Sequence, residues 1–579
     1  MQALIRRPDT GYLGNWLWVP KTSIDYETVK RGLSMKFVDS YAEHKFRFVY
    51  LYRETETHLL VPRKLWDPGS LPFRVVDCRP RTYERTGVTS RIKLDHRLIN
   101  GQLVPTGEDV QQRAMEALLK TDSGILQLGC GKGKTVVALD YIARTGGPAL
   151  IVVDNTHLLE QWENAIKNFL DVPGGIGKVQ GKTFDWKKGV VLATYQTLGA
   201  LAYQLGEDFK QWFMTVIYDE GHHISAQTFA PSAEVIYGRR IALTATAIRD
   251  DGLHVIYDNH VGGTIYKDIT HHIKPRIIFK WTGLDVPPSA DVLDRNGELH
   301  LSKVSSYFGK WGRRMAIILN DVDAAVQAGR KVLVLSNSVD EAVNLCSLWT
   351  RRSWWNPDQL YSDIPIPTPA EVGATVPPIQ MTQKQITATQ AQLEKLEKDL
   401  AKPHTDRIRQ SLMDKAAEYE MHLLQAEAHK KISSMLSARQ KEYRTWLTDN
   451  LTDAGLMIHA VDAKKRFGYI ETKRVVFAIT KYGREGLDDE WLDTVLICTP
   501  FSKRNTLQQV IGRPTRQKPG KKTPLVVFYE DNVGPLIGMC RKLRGHLNSW
   551  PMEENGPFEY ELHGHPKARQ WNQTAVFGQ

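Results

Sequence analysis

From residue 124 onward, short apolar runs recur at helix-length intervals: GILQL (124–128), ALIVVD (149–154), GVVLAT (189–194), TVIYDE (215–220) and RIALTAT (240–246). Runs of this length, bounded by polar turns and separated by helical stretches, predict strands of a parallel sheet covered by helices. A second series begins at KVLVLS (331–336) and resumes, after a long break, at LMIHAV (456–461), RVVFAIT (474–480), TVLICTP (494–500) and PLVVFYE (524–530). Two α/β domains are expected. The break opens with the proline-rich stretch 364–378 and continues as a Gln-, Glu-, Lys- and Ala-rich segment. There Ile386, Leu393, Leu396 and Leu400, then Ile408, Leu412, Tyr419 and Leu423, recur at helical spacing on either side of Lys402-Pro403-His404-Thr405. This pattern predicts an antiparallel, coiled-coil-like helical hairpin whose return arm is the longer and runs toward Tyr443.

Ahead of these domains, the run Lys45–Tyr52, a polar turn Arg53–Thr57 and His58–Val61 read as a hairpin in a β-rich segment. The expected division is 1–100 as a separately folded β-rich accessory domain, 101–270 as a first α/β domain and 271–353 with 448–545 as a second. An inserted helical segment occupies 354–447 and a tail 546–579. The accessory segment's alternating run and its arginines, among them Arg81 and Arg91, predict a basic β surface.

Composition narrows the class. In 579 residues, 42% are hydrophobic and 24% charged, near the globular average, so wholesale disorder is disfavoured. No apolar run approaches the roughly 18 residues needed to cross a bilayer, and MQALIRRPDTGY lacks a secretion signal, so a soluble, cytoplasmic protein is expected. The five cysteines form no CxxC pair, which argues against a zinc site or a disulfide framework. A net charge of +11 suits a polyanionic partner, since cationic side chains displace counterions from phosphates. Charge alone does not decide this.

Candidate chemistry lies at two strand ends. After ILQL come Gly129, Cys130, Gly131, Lys132, Gly133, Lys134 and Thr135, followed by a helical stretch. Glycines let backbone N–H groups approach phosphate oxygens, Lys134 can reach the β- and γ-phosphates, and Thr135 can ligate magnesium. The strict phosphate-loop pattern would place its first glycine at Leu128, so a glycine-rich surface turn is the competing reading. The second site is TVIYDEGHH (215–223), where Asp219 can hold magnesium and Glu220 can polarise the attacking water. His222 and His223 fit interdomain hydrogen bonds better than metal ligation.

In their order and setting these sites resemble superfamily 2 helicases. DEGH is similar to the DEAH box. LTATAIRDDG (243–252) resembles that family's third motif, with Ala247 in place of the usual proline. ALIVVDNTHLLEQWENAI (149–166), VVLATYQTL (190–198), FAITKYGREGLDD (477–489) and QQVIGRPTR (508–516) resemble motifs Ia, Ib, V and VI, so the likeness spans about 104–543 without the insertion. It implies two tandem RecA-like domains with ATP and Mg2+ bound between them. It further implies that Gln111 contacts adenine, with Gln112 as the alternative, and that Asp488 approaches the ribose. Thr244 and Thr246 would couple the nucleotide to domain movement. Gln509 would order the attacking water, and Arg513 and Arg516 would act as arginine fingers.

Asn155, Thr156, Thr194, Tyr195, Gln196 and Thr480 would grip the nucleic-acid backbone, although Thr156 is also a candidate helix cap. Trp349, Trp354 and Trp355, interleaved with Arg351 and Arg352, offer either base stacking or core packing. The motif forms look most like XPB-type and phage recombination helicases, which act on DNA forks and branches. The implied activity is ATP-driven movement along DNA with unwinding or remodelling. RNA helicase action and translocation without unwinding remain the alternatives. A non-enzymatic scaffold is disfavoured because Lys134, Asp219, Glu220, Arg513 and Arg516 are all present.

Overall fold

A computed structural model describes the chain except for residues 1–6, 39–45, 100–101, 130, 222–229, 246–253, 271–272, 287–291, 295–297, 351–365, 485–488, 517, 519, 552–555, 566–576 and 578–579. The chain groups into two compact units. One comprises 1–277, 501–526 and 539–561; the other comprises 278–500, 527–538 and 562–579.

The five runs of the first series all form strands. They lie in an eight-stranded sheet ordered Thr183–Asp185, Ile176–Gln180, Val190–Thr194, Ala149–Val153, Thr215–Asp219, Arg239–Thr244, Ser123–Leu128, Thr264–Asp268. Every adjacent pair is parallel except the outermost, Ile176–Gln180 with Thr183–Asp185. The central strands are buried along their whole length, because helices cover both faces. On one face Leu126, Leu128, Ile151, Val153 and Leu192 pack with Trp162 and Ile166 of helix Thr156–Phe169; on the other Leu150, Val152, Val191 and Tyr218 pack with Leu198 and Phe209. The strands at 176–180, 183–185 and 264–268 are short or alternate in burial, which is why no continuous apolar run announced them.

The N-terminal segment is β-rich, but its pairing differs from the expected hairpin. Phe46–Tyr50 pairs with Ser34–Val38, while His58–Val61 pairs with Leu17–Pro20 and with the short Arg53–Glu54 strand. The five residues Arg53–Thr57, expected as a turn, thus begin with a strand of their own, Arg53–Glu54. Nor does the segment stand apart: residues 1–100 group with the first α/β sheet in one compact unit, and Ile256 of helix His254–Val261 sits in the N-terminal core beside Leu13, Leu17, Leu59 and Val61. Two fully buried arginines join the layers. Arg63 donates to the Tyr237 and Gly238 carbonyls (2.7 and 2.8 Å) and to Ser123 Oγ (3.0 Å); Arg240 donates to the carbonyls of Asn15, Ile236 and His260 (2.7–3.1 Å). At the rim Arg53 pairs with Glu234 at 2.5 Å, and Lys64 and Arg79 each reach Asp122 at 2.7 Å. The expected break near residue 100 therefore does not coincide with a boundary between compact units.

The second series forms a seven-stranded sheet ordered Ala454–Met457, Val475–Ile479, Val332–Ser336, Thr494–Ile497, Leu525–Glu530, Arg276–Trp281, Glu561–His563, with the first four strands mutually parallel. Between Val332–Ser336 and Ala454–Met457 the chain makes helices Gln383–Leu400 and Asp406–Asp449, the second 44 residues long. Thr382 opens the first as a capping box with Gln385. The predicted stripes are half-buried except for Ile408, which is 50% exposed, because it lies in the first turn of its helix beside the connecting turn. Thr389 and Ala416, the buried members, fill the gaps in the 3–4 spacing of each stripe. From Gln425 onward the long arm also meets segments other than its partner helix: the Gln425 carbonyl accepts the Ile379 N–H, Arg439 pairs with Glu371 at 2.6 Å, and Tyr443 bonds Ser347. Trp349 is buried, which settles it as core; Trp354, Trp355, Arg351 and Arg352 lie outside the described residues. Among the described residues no helix is long and apolar enough to cross a membrane.

Candidate nucleotide-binding site

Parallel strands bring their C-terminal ends to one sheet edge, and there Gly129, Asp154, Thr194, Asp219 and Thr244 come together although they are far apart in sequence. After Ser123–Leu128 the chain loops into helix Lys134–Thr145. Gly131 and Gly133 hold left-handed φ angles of 79° and 84°, which side chains rarely tolerate. At Gly133 a methyl would also collide with Gln111 Nε2, and at Gly129 it would stand 3.3 Å from the Ile269 Cα. Lys134 is half-buried, its ammonium donating to the Leu128 carbonyl at 3.1 Å, and Thr135 follows in the first helical turn.

Gln111 is built into this loop. Its Nε2 donates to the Lys132 carbonyl (3.4 Å) and its Oε1 accepts the Asp95 N–H (2.8 Å). Asp95 in turn accepts the Gln111 and Gln112 N–H groups at 2.9 and 3.0 Å, capping helix Val110–Leu119 from outside it. Of the two glutamines offered as the adenine contact, Gln111 is half-buried against the loop and Gln112 is exposed. Sequence reasoning missed Asp95, a residue 6% exposed with φ of 55°. It missed Lys132 as well, buried within 3.7 Å of the Glu108 and Asp268 carboxylates.

At the end of Thr215–Asp219, Asp219 Oδ2 accepts the Trp162 indole N–H (2.8 Å) and Oδ1 accepts the Glu220 N–H (3.0 Å). Burial, then the adjacent Glu220 charge, push the Asp219 carboxyl up to about 6, against the pull of Trp162 and Lys134. Glu220 has φ of 46°, one of two non-glycine left-handed residues among those described. Strain of this kind is held only where surrounding structure enforces it and concentrates at functional positions. Trp162 carried no sequence signal, since a tryptophan on an apolar helix face reads as core.

Segment 501–526 belongs to the same compact unit. Gln508 Nε2 donates to the Ala245 carbonyl at 3.2 Å, and Gln127 Nε2 reaches the same oxygen at 3.2 Å. Arg516 lies along the phosphate loop, its Cγ 3.4 Å from where a methyl on Gly131 would sit. Arg513 caps helix Arg504–Gly512 and is half-buried, as is Gln509. Gln508, next to the expected Gln509, is the one seen tied to Ala245, the residue after the fully buried Thr244. Thr246, His222, His223 and Asp488 lie outside the described residues.

The expected backbone-gripping residues divide. Tyr195 is buried, its hydroxyl donating to the Asp219 carbonyl at 2.9 Å, and Thr480 donates to the Ser336 carbonyl at 3.1 Å. Thr194 caps helix Tyr195–Leu201 through the Thr197 N–H (3.3 Å), and Asn155 caps Thr156–Phe169 through the Leu158 N–H (3.0 Å). The cap is thus Asn155 and not Thr156. All four side chains make hydrogen bonds within the fold. Thr156 and Gln196 are exposed at the two helix starts.

Residues 105–249 match the family model described as "Type III restriction enzyme, res subunit". Over 175 residues the chain is 35% identical to a DNA 3'-5' translocase, XPB2, of Sulfurisphaera tokodaii, covering 30% of this chain and 38% of that protein. Over 150 residues it is 33% identical to the DNA 3'-5' helicase XPB of Mycobacterium tuberculosis, covering 25% and 27%. It is 27% identical over 233 residues to the probable helicase D10 of Escherichia phage T5, covering 40% and 49%. By these matches the chain is similar to helicases and translocases of superfamily 2. It spans between about a quarter and a half of the length of these relatives.

Proposed function

We propose that this protein is an ATP-driven DNA motor. The observation that carries the reading is the convergence at one sheet edge of the glycine loop with Lys134, the adjoining Gln111, the carboxylates Asp219 and Glu220, and Arg516 against Gly131. Loop N–H groups and the helix start at Lys134 would cradle phosphates, and Lys134 would leave the Leu128 carbonyl for the β- and γ-oxygens. Gln111 would read adenine. Glu220, set apart by its backbone, would orient the attacking water and take its proton. Arg516 and Arg513 would offset charge that develops on the transferred phosphoryl group. The Thr135 hydroxyl and Asp219 carboxylate are hard oxygen donors that fit magnesium, and an Asp219 raised by burial and then by the adjacent Glu220 charge is a group that a cation would relieve. Bound there, magnesium would neutralise phosphate charge.

The names of the XPB relatives and the net charge support DNA as the track. Thr156 and Gln196, exposed at helix starts, would meet backbone phosphates. Forked or branched DNA would be the preferred substrate, and ATP turnover would drive unwinding or remodelling. The test is ATP hydrolysis measured with single-stranded, duplex, forked and four-way DNA and with RNA. Stimulation by DNA is expected, greatest for junctions; stimulation by RNA alone, or by neither, overturns the reading.

A further inference from the structure

The N-terminal hairpin of Ser34–Val38 and Phe46–Tyr50 has two unlike faces. Met35 and Val49 are directly paired and pack inward against the core that holds Leu33 and Leu51. Strand alternation sends Phe48 and Tyr50 to the opposite face. There they are 50% and 60% exposed, their rings nearly parallel at 12° with centroids 6.3 Å apart. Tyr52 continues the row, meeting Tyr50 edge-on at 5.9 Å. Cations border it: Lys36 stands opposite Phe48 in the ladder, the Lys30 ammonium lies 5.6 Å from the Tyr52 ring while also pairing with Glu54, and Arg31 is exposed on the preceding helix. Nothing in the hairpin's own folding calls for these rings on the outside, since the inner face already supplies its burial.

Resting on the reading of the protein as a DNA motor, we infer that this outer face is a stacking platform for unpaired nucleic-acid bases. Every base has a flat π-face that an exposed aromatic can cover, and a ring spacing of 6.3 Å is close to two steps of a stacked strand, at about 3.4 Å each. Bordering cations suit the phosphates between the bases. A duplex, whose bases are already stacked, gains nothing from such rings. The platform thus assigns the N-terminal segment a preference for the single-stranded part of a junction.

The experiment uses the full chain and the double variant Phe48→Ala/Tyr50→Ala, with Phe48→Trp/Tyr50→Phe as the conservative control and thermal unfolding as the fold check. Binding is read by anisotropy with a labelled oligo-dT and with a blunt duplex, and stacking by quenching of 2-aminopurine in a single strand. Loss of roughly ten-fold or more in single-strand affinity is expected on removing two rings. Duplex affinity and the salt dependence of binding should stay the same, because no phosphate contact is removed, and the control variant should restore both binding and quenching. Unchanged single-strand affinity and quenching would overturn the proposal, and equal loss on duplex would mean that the face meets backbone. A wild-type protein that binds single strands through these rings yet shows no DNA-stimulated ATP hydrolysis would sink the motor reading while leaving the platform intact.

Discussion

The two parallel sheets end alike in topology and unlike in chemistry. At the first sheet's edge the strand ends carry glycines in left-handed conformations, a strained Glu220, and a Lys134 whose ammonium donates to a backbone carbonyl. At the second sheet the strand ends Ser336, Cys498 and Asp531 close over a buried arginine. Arg314, 0% exposed, donates to Asp531 at 3.0 Å and bonds Glu341 and the Cys498 carbonyl, while Ser336 bonds Glu341. Burial alone would lower the Arg314 guanidinium; Asp531 and Glu341 more than reverse this and raise it. At one edge the glycine loop reaches the surface, with Gly131 exposed, and at the other the charged groups bond one another. The same fold thus supplies an open edge or a plugged one.

Breaking the open edge should have the largest effect. Lys134→Ala or Glu220→Gln should lower ATP turnover by at least about a thousand-fold while thermal unfolding barely shifts, because each removes a group needed at the transferred phosphate and not one needed for burial. Turnover within ten-fold of wild type in Glu220→Gln would remove it from the reaction.

At the plugged edge the signature should invert. Arg314→Ala leaves Asp531 and Glu341 buried without their cation, which costs about 3–5 kcal/mol, and denaturant unfolding should show it. A loss below about 1 kcal/mol would mean water or rearrangement reaches the cluster.

Arg516→Ala sharpens the contrast from the phosphate side. Its charge acts on the transition state, so kcat should fall tens-fold with little change in KM for ATP. Equal change in both would make it an ordinary binding group.

Asp95→Ala should act more mildly. It removes a cap worth about 1 kcal/mol and lets Gln111 drift from the phosphate loop. KM for ATP should rise several-fold, with selectivity for ATP over other nucleoside triphosphates reduced. Altered stability with unaltered selectivity would leave Asp95 a cap alone.

The smallest effect on hydrolysis is expected at the helical hairpin. Replacing 380–440 with a short flexible linker should preserve DNA-stimulated ATP turnover and reduce strand separation in an unwinding assay. Lost turnover would show that the insertion supports the motor, and full unwinding would reduce it to a spacer.

What the chain declared by itself was whatever local order could encode. Nine of the ten apolar runs lie along strands, because a strand buried on both faces must be apolar throughout, while LMIHAV overlaps its strand, Ala454–Met457, only at Leu456 and Met457. The glycine loop and the Asp219-Glu220 pair were legible because their chemistry is contiguous. So was the helical hairpin, from two stripes and a turn. Tertiary structure decided whatever depends on residues distant in sequence. Asp95 fixed which glutamine faces the loop. Trp162 claimed an Asp219 oxygen, and Gln508 met the Ala245 carbonyl across 263 positions. Tyr195 and Thr480 were drawn into hydrogen bonds inside the fold, and Arg63 and Arg240 tied the N-terminal strands into the first unit. A side chain's type fixes which bonds it can make, but only the packed fold fixes which partner is within 3 Å, and burial then makes that bond obligatory.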